Sequence, residues 1–171
     1  SIFAKKPEVI SSQVDVARKL SDVITLYATN DEQIPIRYVG PDNGVFVMAD
    51  EEQISQVFVN IIRNAIQALS NSQTSAAEGT KQSLTSPDII VMLNSTYSSK
   101  EIEISISDNG PGIPAAIQSS IFRPNFTTKS NGNGLGLAIS KRIVEGTGGR
   151  ITFESSDKGT TFYVYLKKKA R

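Results

Sequence analysis

Three short stretches hold residues whose types and spacing could do chemistry. The first is EEQISQVFVNIIRNAIQALS, residues 51–70, where Asn60 and Asn64 stand four apart. On a helix their side chains leave in the same direction. Asparagine is a poor helix former, so two at this spacing spend propensity where Lys or Glu would cost less. Paired carboxamide oxygens can meet a hard cation, and Mg²⁺ needs only one or two protein oxygens when phosphates and water complete its octahedron. The second is EIEISISDNGPG, residues 101–112. Ile102, Ile104 and Ile106 share a parity, and Asp108 continues it, so a carboxylate aims at the core side of a strand. Such an acid needs donors. Gly110 and Gly112, flanking Pro111, let a ligand lie against bare backbone, and an acceptor-only carboxylate suits an exocyclic amine such as adenine's. The third is NGNGLGLAIS, residues 131–140, in which Gly132, Gly134 and Gly136 lead into a helix whose unpaired N–H groups can face an anion. Leu137 stands where a dinucleotide fingerprint requires glycine, and no Gly-Lys-Ser/Thr occurs, so neither the Rossmann nor the Walker pattern applies. Arg123 and Lys129 lie just upstream.

Each stretch has a plain alternative: a solvated helix face, an aspartate capping its own Asp-Asn-Gly turn, and a glycine hinge. Together they supply a metal site, a base pocket and a phosphate cradle.

The elements that must position these residues follow from periodicity. In 51–69 the residues Ile54, Val57, Phe58, Ile61, Ile62, Ala65, Ile66 and Leu69 gather on one face, against a carboxamide stripe of Gln53, Gln56, Asn60, Asn64 and Gln67. SSQVDVARKLSDVITLYATN predicts an earlier helix behind a serine cap. IPIRYVG and GVFVMAD, separated by Pro-Asp-Asn, predict a hairpin. Residues 70–87 are polar and low in complexity, which predicts a mobile insertion. DIIVMLNSTY, apolar on both faces, and the alternating KEIEISISDNG predict a strand pair at a sheet centre. Residues 111–133, punctuated by Pro and Gly, form a long connection with at most one helical turn and suit a lid. A helix over LGLAISKRIVEG follows, then RITFESS and TTFYVYLKK around an Asp-Lys-Gly turn. The expected fold is α+β: a two-layer sandwich with roughly three helices on a mixed, mostly antiparallel sheet of about five strands.

Bulk composition narrows the function. Lys and Arg number 18 and Asp and Glu 17, a net charge of +1. No large single-sign field is available to grip nucleic acid or a membrane surface. The chain has no cysteine, which removes disulfides and thiolate metal sites and is compatible with a reducing compartment. No stretch approaches a membrane span and Ser1–Ile10 lacks a signal-peptide core, so the chain reads as soluble. It also has no histidine, so any chemistry that needs an imidazole must borrow one from elsewhere.

With these residues in place the sequence resembles the GHKL ATP-binding fold, and most closely the catalytic ATP-binding domain of bacterial two-component sensor histidine kinases of the nitrogen-regulation class. NIIRNA resembles the N box, DNGPG the first glycine box, IFRPNFTTK the F box, GNGLGLAI the second glycine box and GTTF the last, in matching order across Val14 to Lys167. The resemblance implies the Bergerat α/β sandwich, ATP and Mg²⁺ as cofactors, and a lid over 111–133. By position it implies that Asn64 ligates Mg²⁺ with Asn60 assisting, that Asp108 takes the adenine amine, and that Gly110, Gly112 and Ile113 shape the base pocket. Lys129 and the backbone of Gly132, Gly134, Leu135, Gly136 and Leu137 would meet the phosphates, and Thr160 would support Asp108. Asn60 is the implied catalytic position: in gyrase-like and chaperone-like relatives a glutamate there activates water, and an amide cannot take that proton. In the F box, Arg123 and Asn125 occupy positions where an acid and an aromatic are more usual, which bears on lid docking.

The same resemblance implies a tail of the dimerisation and phosphoacceptor domain over 1–10, a catalytic domain over 11–171, transfer to a histidine on that separate domain, and a response regulator receiver domain as downstream partner. A cytoplasmic location follows, with the parent protein open to inner-membrane anchoring. Rival readings are a GHKL ATPase, a serine kinase of the anti-sigma type, and a nucleotide-responsive interaction module that transfers nothing.

Overall fold

The computed structural model describes residues 8–29, 31, 33–76, 86–95, 99–127 and 134–169. Its elements are β1 (Ser12–Asp15), α1 (Val16–Tyr27), β2 (Ile36–Val39), β3 (Phe46–Ala49), α2 (Glu51–Ala76), β4 (Ile89–Asn94), β5 (Glu101–Asp108), α3 (Ala115–Gln118), α4 (Gly136–Gly146), β6 (Arg150–Ser156) and β7 (Gly159–Lys167). The main sheet has five strands in the order β2-β4-β5-β7-β6, with β1 and β3 forming a separate pair. β2 runs parallel to β4, and the other neighbours in the main sheet are antiparallel. The expected α+β sandwich is therefore present.

Strand parity builds the core. Ile102, Ile104 and Ile106 of β5 are at most 1% exposed, and Ile89, Val91 and Leu93 of β4 turn to the same side. They meet the apolar face of α2, where Ile54, Phe58, Ile61 and Ile62 are equally buried. β4 is apolar on both faces, but only one is covered: Met92 on the other is 36% exposed. The pattern thus marks a central strand of a sheet with helices on a single side.

Two expectations require correction. Ser12–Asp15, assigned above to the start of a helix behind a serine cap, is a strand paired antiparallel with Phe46–Ala49. The cap is Asp15, whose carboxylate accepts from Arg18 N at 3.4 Å. The same carboxylate accepts from Gly44 N at 2.8 Å and Val45 N at 3.4 Å. These bonds draw the chain after the turn onto β1, so IPIRYVG and GVFVMAD do not form a hairpin; β2 pairs with β4 and β3 with β1. Ser70–Ala76, assigned above to a mobile insertion over 70–87, are helical, because α2 continues to Ala76, and residues 77–85 of that stretch lie outside the described residues. No Gly or Pro interrupts the chain before Gly79, and Ser70 and Ser72 return their hydroxyls to Ile66 O and Ala68 O at 2.9 and 2.8 Å. The start of α2 is capped by Asp50, whose Oδ1 accepts from Gln53 N at 3.0 Å, with Glu51 and Glu52 in the first turn.

One-sided covering has a measurable consequence. Ile104→Ala should cost about 2–5 kcal/mol in chemical denaturation, since it empties the helix-facing core. Met92→Ala, on the adjacent strand but the opposite face, should cost less than about 1 kcal/mol; equal costs would contradict the layering.

Candidate functional site

The site is organised along one face of α2. Asn60, Asn64 and Ala68 succeed each other at i+4 spacing, so the stretch from 60 to 68 spans on the order of 12 Å. At one end of it sits the first turn of α4. Asn60 Nδ2 donates to Gly136 O at 3.1 Å and to Ser140 Oγ at 3.2 Å. A Cβ added at Gly136 would lie 3.8 Å from Asn60 Oδ1, so the bare Cα of Gly136 and the Asn60 carboxamide face each other. At the other end sit Asp108 and Gly110: a Cβ at Gly110 would meet Asp108 Oδ1 at 2.9 Å, Ala68 at 3.5 Å and Leu69 at 3.6 Å. The carboxamide stripe is consequently divided, with Gln56 and Gln67 exposed and Asn60 and Asn64 half-buried.

Asp108 closes β5 on the isoleucine side, half-buried, as its parity predicts. Its Oδ1 accepts from Gly110 N at 2.9 Å. It therefore does cap its own Asp-Asn-Gly turn, and the two readings of this residue coexist. Burial pushes its carboxyl above the ordinary 3.8, while the backbone N–H groups of Gly110 and Thr160 pull the other way. Asn109, next in the turn, clamps the start of β4: it accepts from Asp88 N and donates to Ser86 O, both at 2.8 Å.

Thr160 lies opposite Asp108 in the ladder and is 5% exposed. Its hydroxyl meets Ser155 Oγ at 2.8 Å, and Ser155 Oγ in turn accepts from Ile113 N at 2.7 Å. Thr160 and Ile113 are thus joined through Ser155, a residue the sequence reading missed. The available signal was parity: Ile151, Phe153 and Ser155 alternate on β6, so Ser155 belongs to the core-facing set. Ser140 was missed likewise, although it lies one turn beyond Gly136 and one turn before the buried Val144.

The glycines separate by cause. Gly112 has φ +77° and its Cβ would strike Ser156 O at 1.8 Å; Gly134 has φ +69° and its Cβ would strike the Asn125–Phe126 backbone at 2.5 to 2.7 Å. Both are required by the fold itself. Gly136 is not: its neighbours would leave a methyl group in ordinary contact. Asn125, where the family more often has an aromatic, has φ +61°, a left-handed conformation in which Asn is enriched. Its F-box neighbour Phe122 packs edge-on to Phe153 and Phe162 with centroids 5.9 and 6.3 Å away, and Lys141 Nζ stands 5.5 Å from the Phe122 ring. This aromatic cluster holds the chain just after α3 against β6 and β7. Leu135 precedes α4 and Leu137 is partly buried against the core. Lys129 and Gly132 lie outside the described residues.

The donor set suits Mg²⁺ with a polyphosphate. Among the described residues no group of three His, Cys, Asp or Glu could cage a metal. The Asn60 amide nitrogen is committed to α4, which leaves its oxygen as the group able to ligate. A divalent ion held by so few protein oxygens would draw its remaining ligands from phosphate and water.

Residues 49–170 match the family described as histidine kinase-, DNA gyrase B- and HSP90-like ATPases. The chain belongs to this family, and its relatives there are sensor histidine kinases. It is 36% identical over 133 residues to the C4-dicarboxylate transport sensor protein DctB of Rhizobium meliloti, covering 78% of this chain and 19% of that protein. It is 37% identical over 124 residues to the sensory histidine kinase/phosphatase NtrB of the same organism, covering 70% of this chain and 31% of that protein. The chain therefore spans about a fifth to a third of the relatives it matches. The nucleotide-free catalytic domain of histidine kinase ThkA superposes with TM-score 0.75 at 27% identity, covering 93% of this chain and 96% of that one.

Three substitutions follow from this geometry. Gly136→Ala should raise the melting temperature, by the equivalent of about 0.5–1 kcal/mol for a helical Gly→Ala, while weakening ATP binding at least tenfold by calorimetry; Gly112→Ala should instead destabilise. Asp108 has a raised folded pKa, so its contribution to stability is fully present below the unfolded value near 3.8 and is lost as pH rises through the folded one. In the nucleotide-free protein, Asp108→Asn should therefore raise stability at neutral pH relative to its effect at pH 3. Asn offers one acceptor oxygen in place of two, so the same change should cost about 1–3 kcal/mol of ATP affinity, roughly 10- to 100-fold.

Proposed function

We propose that this chain is the ATP-binding catalytic module of a sensor histidine kinase, transferring the γ-phosphoryl group of Mg·ATP to a histidine on a separate dimerisation domain that then feeds a response regulator receiver domain. The single observation carrying this reading is the commitment of the Asn60 amide nitrogen to Gly136 O and Ser140 Oγ, at 3.1 and 3.2 Å. A residue held this way can position a phosphate but cannot accept a proton from water. Phosphoryl transfer chiefly requires alignment and charge neutralisation, so a well-placed histidine acceptor can react without a base from this chain.

In this reading the nucleotide lies along α2. The adenine amine is received by Asp108 beside Gly110, Gly112 and Ile113, with Thr160 and Ser155 bracing that pocket. The triphosphate reaches the start of α4, where Gly134, Leu135, Gly136 and Leu137 present backbone N–H groups, joined by Lys129 and Gly132 from the lid. Mg²⁺, when bound through Asn64 and Asn60, neutralises phosphate charge. The lid stem anchored by Phe122 excludes water once closed. The absence of cysteine and the use of ATP both suit the cytoplasm. Among the described residues no helix is long and apolar enough to cross a membrane.

Incubation with ATP labelled in its γ-phosphoryl group should leave this chain unlabelled, since it has no histidine. Adding the histidine-bearing helical hairpin of the parent kinase should produce acid-labile label on the hairpin, and Asn64→Ala should abolish it. Label on this chain, or tight ATP binding with no transfer to the hairpin, would refute the proposal.

A further inference from the structure

Ser140 is fully buried in the second turn of α4, with an exposure of 0%. Its hydroxyl donates to Gly136 O at 2.8 Å, the i−4 carbonyl of its own helix. A hydroxyl carries one proton, so the lone pairs left on Ser140 Oγ can only accept. Asn60 Nδ2 fills that role at 3.2 Å while also donating to Gly136 O at 3.1 Å. The three groups close a triangle with two acceptors facing the Asn60 nitrogen. Turning the carboxamide over would set its oxygen against a carbonyl oxygen and a hydroxyl lone pair.

We infer that Ser140 is a positioning residue: with the Gly136 carbonyl it locks the Asn60 carboxamide nitrogen-inward, so that Oδ1 is presented to the metal-bearing phosphates and an amide rather than a carboxylate is selected at position 60. This rests on the nucleotide site proposed above. A carboxylate at 60 would have no proton to offer Gly136 O, and could be accommodated only if Ser140 gave up its own bond to that carbonyl. The device therefore couples the identity of a residue in α2 to a serine in α4, across 80 positions of sequence. It also explains a serine inside a helix, where the hydroxyl would otherwise slightly weaken the element it bonds.

The test is a binding cycle on the wild type, Ser140→Ala, Asn60→Ala and the double variant, titrating each with ATP in Mg²⁺ and again in EDTA. Ser140→Ala should lose about five- to tenfold in Mg·ATP affinity and less than about twofold in EDTA, the effect of one neutral hydrogen bond. In the Asn60→Ala background it should change nothing further. In the nucleotide-free protein the Asn60 side-chain NH₂ protons, followed by NMR, should exchange at least tenfold faster with solvent in Ser140→Ala, a readout that needs no ligand. If Ser140→Ala proves too unstable to fold, Ser140→Cys fills the same space with a weaker acceptor and should show an intermediate loss.

An equal loss with and without Asn60 would make Ser140 a packing residue and overturn the inference. So would a Mg·ATP affinity untouched by Ser140→Ala but weakened by Asn60→Ala, and in that case the nucleotide site itself would stand. Should Asn60→Ala leave Mg·ATP binding intact, the site reading falls and this inference with it.

Discussion

The bond from the Asn60 side chain to the Gly136 carbonyl, 3.1 Å long and spanning 76 residues of sequence, joins the two helices between which the site lies. The end of the site formed by Asn60, Gly136 and Ser140 takes its position from that join. α2 is fixed by burial of its apolar face on β4 and β5, and the half-buried Asn60 carboxamide is then set against the start of α4. α4 is held further along the same face by Val144, which is fully buried, while its Lys141 stands over the Phe122 ring. If the helices slid by one residue the amide would lose both acceptors, and a buried polar group left unmatched costs about 1–3 kcal/mol. The contact therefore sets register as well as chemistry.

A second constraint comes from the sheet. Because only one face of β5 is covered, strict alternation sends Asp108 to the side where the helices are, and the same alternation brings Ile102, Ile104 and Ile106 there. The acid is held at a cost, shown by the upward push on its carboxyl, and is kept there by N–H groups from Gly110 and Thr160. A group that destabilises the empty protein at neutral pH is consistent with one that gains its best partner from a ligand. The strand that supplies the core thus also supplies Asp108, and neither can be moved without the other.

How much of this was legible in the sequence depended on whether the deciding interaction was local. The helical period of 51–69, the parity that aims Asp108 inward and the glycine-led start of α4 are all set within a few residues, and all appear in the structure. The pairing of β2 and β3 was not legible, because a turn of Pro-Asp-Asn-Gly is compatible with a hairpin and the outcome was decided by Asp15, 29 residues before Gly44. The end of α2 was misplaced for the opposite reason: low complexity read as a break, yet nothing in Ser70–Ala76 stops a helix. Parity places Ser155 on the core-facing side of β6, but neither it nor Ser140 shows a role until the partner of its hydroxyl on another element is known.

The oddity of the F box dissolves on the same grounds. Asn125 departs from the usual aromatic, but its backbone is left-handed and its carbonyl carbon lies where a Cβ at Gly134 would stand, 2.5 Å away. A side chain at Gly134 is excluded by the Asn125–Phe126 backbone. Phe122 anchors this segment, its ring sitting on Phe153 and Phe162. Asn125, irregular in a comparison of boxes, thus lies where the F box meets the glycine turn, and Lys141 over the Phe122 ring ties the same segment to α4.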